Sequence, residues 1–240
     1  MRLAAGEPKR RTAKGGAVKR SVCCLVSALL LVASAAHADQ ASARTKLAEE
    51  HLAFSPEAFL NEVAAGNVAH VELFLEGGVD PAAKNAQSQT ALWLAVERQH
   101  LDVLKALLAG GVVPNETNAP VGSGGKTIVF AAVDTGDAAY VRALVAAGAD
   151  AKKANDYEVP PLAEAARTGN VEMCKVLLEG GADPNAAPGG FPLLFGPVNE
   201  DHLDVVRLLL ESGAKLGEHK ETMLQNAKTP EMRELLEKAE

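Results

Sequence analysis

Apolar residues return at helical spacing along most of the chain, in short runs that glycine or proline interrupts. In "VEMCKVLLEGG" the residues Val171, Cys174, Leu177 and Leu178 form one stripe, and "HLDVLKALLAGG" and "HLDVVRLLLESGA" repeat its shape. Each run follows a shorter Ala-rich apolar stretch, "TALWLAV", "TIVFAAV" or "PPLAEAA". The pattern predicts pairs of short helices. Threonine caps the first helix or proline occupies its first turn, and a glycine or polar turn at Gly66, Gly136 or Gly169 separates the two. Segments such as "GGADPN" stop the second helix. The offsets recur together: Thr90, Thr127 and Pro160 are each followed five residues on by Ala95, Ala132 and Ala165, and twenty-one residues on by Gly111, Gly148 and Gly181. Glu57 stands at the same distance from Gly78. Each pair has apolar faces too wide to hide alone, so the units must stack.

"HLDVLKALLAGG", "TGNVEMCKVLLEGGADPN" and "HLDVVRLLLESGA" resemble the ankyrin-repeat pattern over about residues 55–239. The resemblance implies an all-α solenoid of stacked helix-turn-helix units with short β-turn fingers. The units fall at about 55–84, 85–116, 117–153, 154–186 and 187–217, with a closing unit at 218–240 and a lead-in at 39–54. There are departures. Trp93 and Phe130 replace the family's histidine, so apolar packing must substitute for a polar network. Thr90 and Thr127 are 37 residues apart, which lengthens one finger by about four. Pro197 falls inside a first helix, which should be short or kinked.

Composition adds a compartment to this picture. Residues 1–38 hold seven of the 24 Lys/Arg and one of the 31 Asp/Glu, leaving 17 bases and 30 acids beyond Ala38, a net charge of −13. Such an acidic body is repelled by phosphate backbones, which argues against nucleic-acid binding. "KRSVCCLVSALLLVASAAHADQ" carries the basic, apolar and small-residue regions of a secretory signal, with cleavage expected after Ala38. Its apolar run is short of the ~20 residues of a spanning helix, so no stable membrane anchor is expected after cleavage. "VKRSVCCLV" reads as a complete signal start, placing the true initiation near Val18. The expected destination is the periplasm of a bacterium or full secretion. Cleavage leaves only Cys174 of the three cysteines, so packing alone must stabilise the chain. With 48% hydrophobic and 4% aromatic residues, the core must be built from Ala, Leu and Val.

Little chemistry stands out. "GSGGKT" looks like a phosphate-binding loop, but G-x-x-x-x-G-K-[ST] needs a glycine where Pro120 stands. The repeat register instead assigns Gly124, Gly125 and Lys126 to a finger tip and Thr127 to a helix start. His51, His70, His100, His202 and His219 are scattered, with no metal-ligand spacing. Cys174 lies on the inward stripe and reads as a buried thiol. Glu49-Glu50 and Glu200-Asp201 read as solvated surface. No catalytic residue, metal or cofactor is expected.

The resemblance places partner contacts on the concave side. Its fingers contribute Gln87, Gln89, Ser123, Lys126, Tyr157 and Phe191, and the ends of its first helices contribute Glu97, Arg98, Asp134, Thr135, Arg167, Thr168, Asn199 and Glu200. Tyr157 and Phe191 are the expected anchors, with packing of Phe191 beneath its own finger as the alternative. The expectation is a monomeric, non-enzymatic scaffold that binds another protein with a basic patch. An immunity or inhibitor protein against a secreted toxin or enzyme is the alternative. A nucleotide-dependent enzyme using Lys126 is the alternative of another class.

Overall fold

The computed structural model describes residues 38–114 and 124–239. All but the last residue of the expected 1–38 signal peptide, and the candidate contact Ser123, lie outside them. The described chain is helical: α1 (38–49), α2 (Pro56–Ala65), α3 (Val68–Glu76), α4 (Ala91–Glu97), α5 (Leu101–Ala109), α6 (Ile128–Asp134) and α7 (Ala138–Ala146). There follow α8 (Pro161–Arg167), α9 (Val171–Glu179), α10 (Phe195–Asn199), α11 (Leu203–Glu211), α12 (Lys220–Asn226) and α13 (Pro230–Lys238). From α2 onward the helices form the six expected pairs. First helices pack in sequence (α2, α4, α6, α8, α10, α12), and second helices pack in a parallel row from α3 to α13. The product is the all-α solenoid that the repeat predicts, with fingers between the pairs; one isolated bridge joins Lys84 to Thr90.

The start and stop signals act as the sequence implies. Thr90 and Thr127 accept hydrogen bonds at Oγ1 from the N–H groups of Trp93 and Phe130, at 3.4 and 3.2 Å, satisfying orphan donors of α4 and α6. Pro161 opens α8, where a missing N–H costs nothing. At the end of α9, Gly181 takes φ 85°, which lets the Ala182 N–H turn back to the Leu177 carbonyl at 2.9 Å. Equivalent bonds run from Val79 to Phe74, Val112 to Leu107, Ala149 to Leu144 and Ala214 to Leu209.

The α10 helix has only five residues, and Pro197 explains it. With Leu194 as N-cap, Pro197 falls at the third helical position, whose N–H has no intrahelical acceptor. The helix therefore starts late enough to make the proline harmless. Trp93 and Phe130 are buried, as apolar packing in place of the family's polar network requires. The core runs without a break from Leu47 to Leu236, mostly Ala, Leu and Val.

Polar side chains stitch neighbouring units together. His100 Nε2 contacts the Ala64 carbonyl at 3.1 Å, Asn170 Nδ2 donates to the Gly136 carbonyl at 2.8 Å, and His202 Nε2 contacts the Arg167 carbonyl at 3.0 Å. All three residues precede second helices and reach the last turn of the preceding unit's first helix or the turn just after it. The lead-in is more than a tether. In α1, Ala43 and Leu47 are buried, Arg44 Nε donates to the Gly77 carbonyl at 2.8 Å, and its guanidinium lies 4.4 Å from the Phe54 ring. Among the described residues no helix is long and apolar enough to cross a membrane.

Candidate binding face

Two fingers meet the ends of the first helices that follow them, through Gln89 and Glu97 and through Lys126 and Asp134. Between them, α4 and α6 leave a groove of about 430 Å³ lined by Trp93, Val96, Glu97, Gln99, Lys126, Ala131, Asp134 and Thr135. Four expected contact residues (Glu97, Lys126, Asp134 and Thr135) thus share one depression. Its floor is apolar and its rim is charged.

The rim is internally braced. Lys126 Nζ donates to Asp134 Oδ2 at 2.5 Å and lies 5.5 Å from the Phe130 ring. Gln89 Nε2 donates to Glu97 Oε2 at 2.7 Å. Thr135 directs its hydroxyl to the Ala132 carbonyl at 2.7 Å, and Thr168 does the same to Ala165 at 3.1 Å. These hydroxyls act chiefly on their own helix ends. Arg98 and Gln87 are exposed beside the groove and at the first finger tip.

Farther along, Arg167 donates to both oxygens of Glu164, from Nε at 3.0 Å and from a terminal nitrogen at 2.5 Å. The Glu164 bonds and charge, with a further contribution from Glu200, push the guanidinium pKa up despite slight burial. Asn199 and Glu200 are exposed at the end of α10. Phe191 is 55% exposed, which sets aside burial beneath its own finger. It makes an edge contact with Phe195 at 5.3 Å and lies 5.9 Å from the His219 ring, so three rings form one cluster. Tyr157 is 73% exposed.

The "GGK" stretch has a structural role that the sequence did not disclose. The Asp156 N–H donates to the Gly124 carbonyl at 3.1 Å, and the Asp156 carboxylate stands over Gly125 so closely that a Cβ there would fall 1.8 Å from Oδ1. The Tyr157 ring covers Gly124 in the same way, 2.9 Å from where a Cβ would be. Two adjacent fingers are thereby fastened together. A carboxylate occupies the surface of this loop and the lysine is paired with Asp134, an arrangement that disfavours a phosphate.

Asn85 and Asn155 organise the finger tips. Each uses Oδ1 to accept two backbone N–H groups, Gln87 and Gln89 for the first and Tyr157 and Val159 for the second, at 2.9–3.0 Å. Both stand five residues before a helix-start position, Thr90 or Pro160, so the repeat offsets could have revealed them. Asp156 left no such signal, because its role depends on contact between fingers.

Behind the face, Cys174 is fully buried, and burial pushes its thiol pKa up to about 12. Among the described residues no group of three or more His, Cys, Asp or Glu is placed to hold a metal ion.

A family model described as ankyrin repeats (3 copies) matches residues 59–155 and 128–222. An ankyrin repeat-containing protein of Treponema pallidum (strain Nichols) is 29% identical over 174 residues, 72% of this chain and 46% of that protein. The mouse B-cell lymphoma 3 protein homolog is 31% identical over 149 residues, 61% of this chain and 33% of that protein. An ankyrin repeat protein of fowlpox virus (strain NVSL) is 30% identical over 128 residues, 53% of this chain and 28% of that protein. The chain spans less than half the length of these relatives.

Proposed function

The chain belongs to the ankyrin-repeat family, and on that premise we propose that it is a non-enzymatic scaffold that binds another protein through the side of the stack carrying the fingers and first-helix ends. The observation that carries this reading is the line of uncovered contact positions: the α4–α6 groove, then Tyr157 at 73% exposure and Phe191 at 55%. Exposed rings supply large contact area at little entropic cost, and such residues dominate interface energies. The rim already holds its side chains in internal ion pairs and hydrogen bonds, so less ordering remains to be done when a partner docks. The acidic body favours a partner with a basic patch.

The same reading places the mature chain in the periplasm or outside the cell, as a monomer. Its support is the signal-like sequence before Ala38 together with a core that needs no disulfide. Pull-down from that compartment tests the function, comparing wild type with a Tyr157→Ala, Phe191→Ala double variant. Loss of one specific protein in the variant supports the reading. Equal recovery of every bound protein by both sinks it.

A further inference from the structure

We propose that His70 is a pH-sensitive latch that fastens the end of α1 to the first helix pair. The ring stands between two carboxylates from different elements. Its Nε2 is 2.6 Å from Glu50 Oε2, just beyond α1, and its Nδ1 is 2.7 Å from Glu62 Oε2 on α2. A carboxylate only accepts hydrogen bonds, so both contacts are bonds only when both ring nitrogens carry a proton. The geometry is therefore that of an imidazolium.

Loss of one proton forces a choice. Glu62 is the more enclosed, at 15% exposure, and already accepts from Asn67 Nδ2 at 2.5 Å, so the remaining N–H stays with it. Glu50 is 50% exposed and would face a bare nitrogen lone pair, so it turns to water. The end of α1 then loses its tether to α3. Leu47 and the Arg44 bond to Gly77 still hold the helix, so it loosens rather than departs.

The pH window follows from the same contacts. The bond to Glu62 raises the His70 pKa; partial burial opposes this, and the charges of Glu62 and Glu50 and the Glu50 bond reinforce it. A raised histidine pKa stabilises the docked state fully below the unfolded value of about 6.5, and that stabilisation is lost as pH rises through the folded value. For Glu62, burial opposes ionisation, but the bonds from Asn67 and His70 outweigh it and lower the pKa. The Glu62 contact with the ring therefore persists until pH falls through that lowered value. The influences on the ring come from these two carboxylates. The other charged side chains on the elements around it are Asp39, Arg44, Lys46 and Glu49 on α1, Glu57 on α2, Glu72 and Glu76 on α3, and Asp102 and Lys105 on α5, with His100 turned to the Ala64 carbonyl.

Hydrogen exchange on the full chain, corrected for intrinsic rates, tests the latch at pH 6.0 and pH 8.5. Protection of α1 should fall about two- to five-fold at the higher pH, the range set by one partly exposed ion pair, while α9 stays unchanged. In Glu50→Gln the carboxamide can donate or accept, so it serves either form of the ring and the pH dependence should vanish. Titration by NMR should show the His70 pKa above 6.5 in wild type and lower in Glu50→Gln. Equal α1 protection at both pH values in wild type, or undiminished pH dependence in Glu50→Gln, overturns the proposal.

Discussion

Replacing Gly125 with alanine would place a methyl carbon 1.8 Å from Asp156 Oδ1 and 2.1 Å from its Cγ, on a residue with φ 66°. Two costs follow. A non-glycine residue in the left-handed region costs about 1–2 kcal/mol. The Asp156 side chain must also swing away, and its backbone bond to the Gly124 carbonyl weakens; a bond of that kind contributes about 1 kcal/mol. Asp156 is short and exposed, so it can rotate, which keeps the second cost near that figure. The expected destabilisation is roughly 2–3 kcal/mol. In an Asp156→Ala background the carboxylate is gone, and the same Gly125→Ala change should cost about 1 kcal/mol less, a direct coupling between the fingers. Urea unfolding followed by the single tryptophan, Trp93, reports on the groove beside this finger. Circular dichroism in parallel reports whether the stack unfolds as one unit. An unchanged midpoint in Gly125→Ala, or the same cost in both backgrounds, would refute the view that Gly125 exists for the approach of Asp156.

Cys174 should resist thiol reagents at pH 8 and react only as fast as the stack opens, since its pKa is about 12 and the side chain is fully buried. Rapid labelling of the folded protein would contradict its placement. Asn155→Ala removes the acceptor of the Tyr157 and Val159 N–H groups; loss of about 1–2 kcal/mol and faster amide exchange confined to that finger are expected. His202→Ala deletes the contact with the Arg167 carbonyl, and a loss near 1 kcal/mol should appear in thermal unfolding.

The fold was legible because its cause is local and repeated. Threonine caps, C-terminal glycines and helical stripes of Val and Leu recur at fixed offsets, and each helix pair needs its neighbours to cover it. Pro197 could be read as a disturbance for the same reason: one residue type with one missing donor. The lead-in was not legible as a packed helix, because residues 38–49 lie outside the repeat and their fit rests on Leu47 and Arg44 meeting the first pair. Of the candidate site, the grouping of some residues was legible and their bonding state less so. The repeat register put Lys126, Asp134, Thr135 and Arg167 forward as candidates, yet only the structure shows their partners: Lys126 and Arg167 in ion pairs, Thr135 bonded to its own helix. Asp156 over Gly125 was invisible because the two residues are 31 positions apart and belong to different fingers.

A photo-crosslinking residue at Tyr157, compared with one at Lys175 on the exposed side of α9, tests the proposed face most directly in the native compartment. The account predicts a discrete crosslink to a single protein from position 157 and none from position 175. A crosslink from 175 alone, or indistinguishable patterns from both, would contradict it.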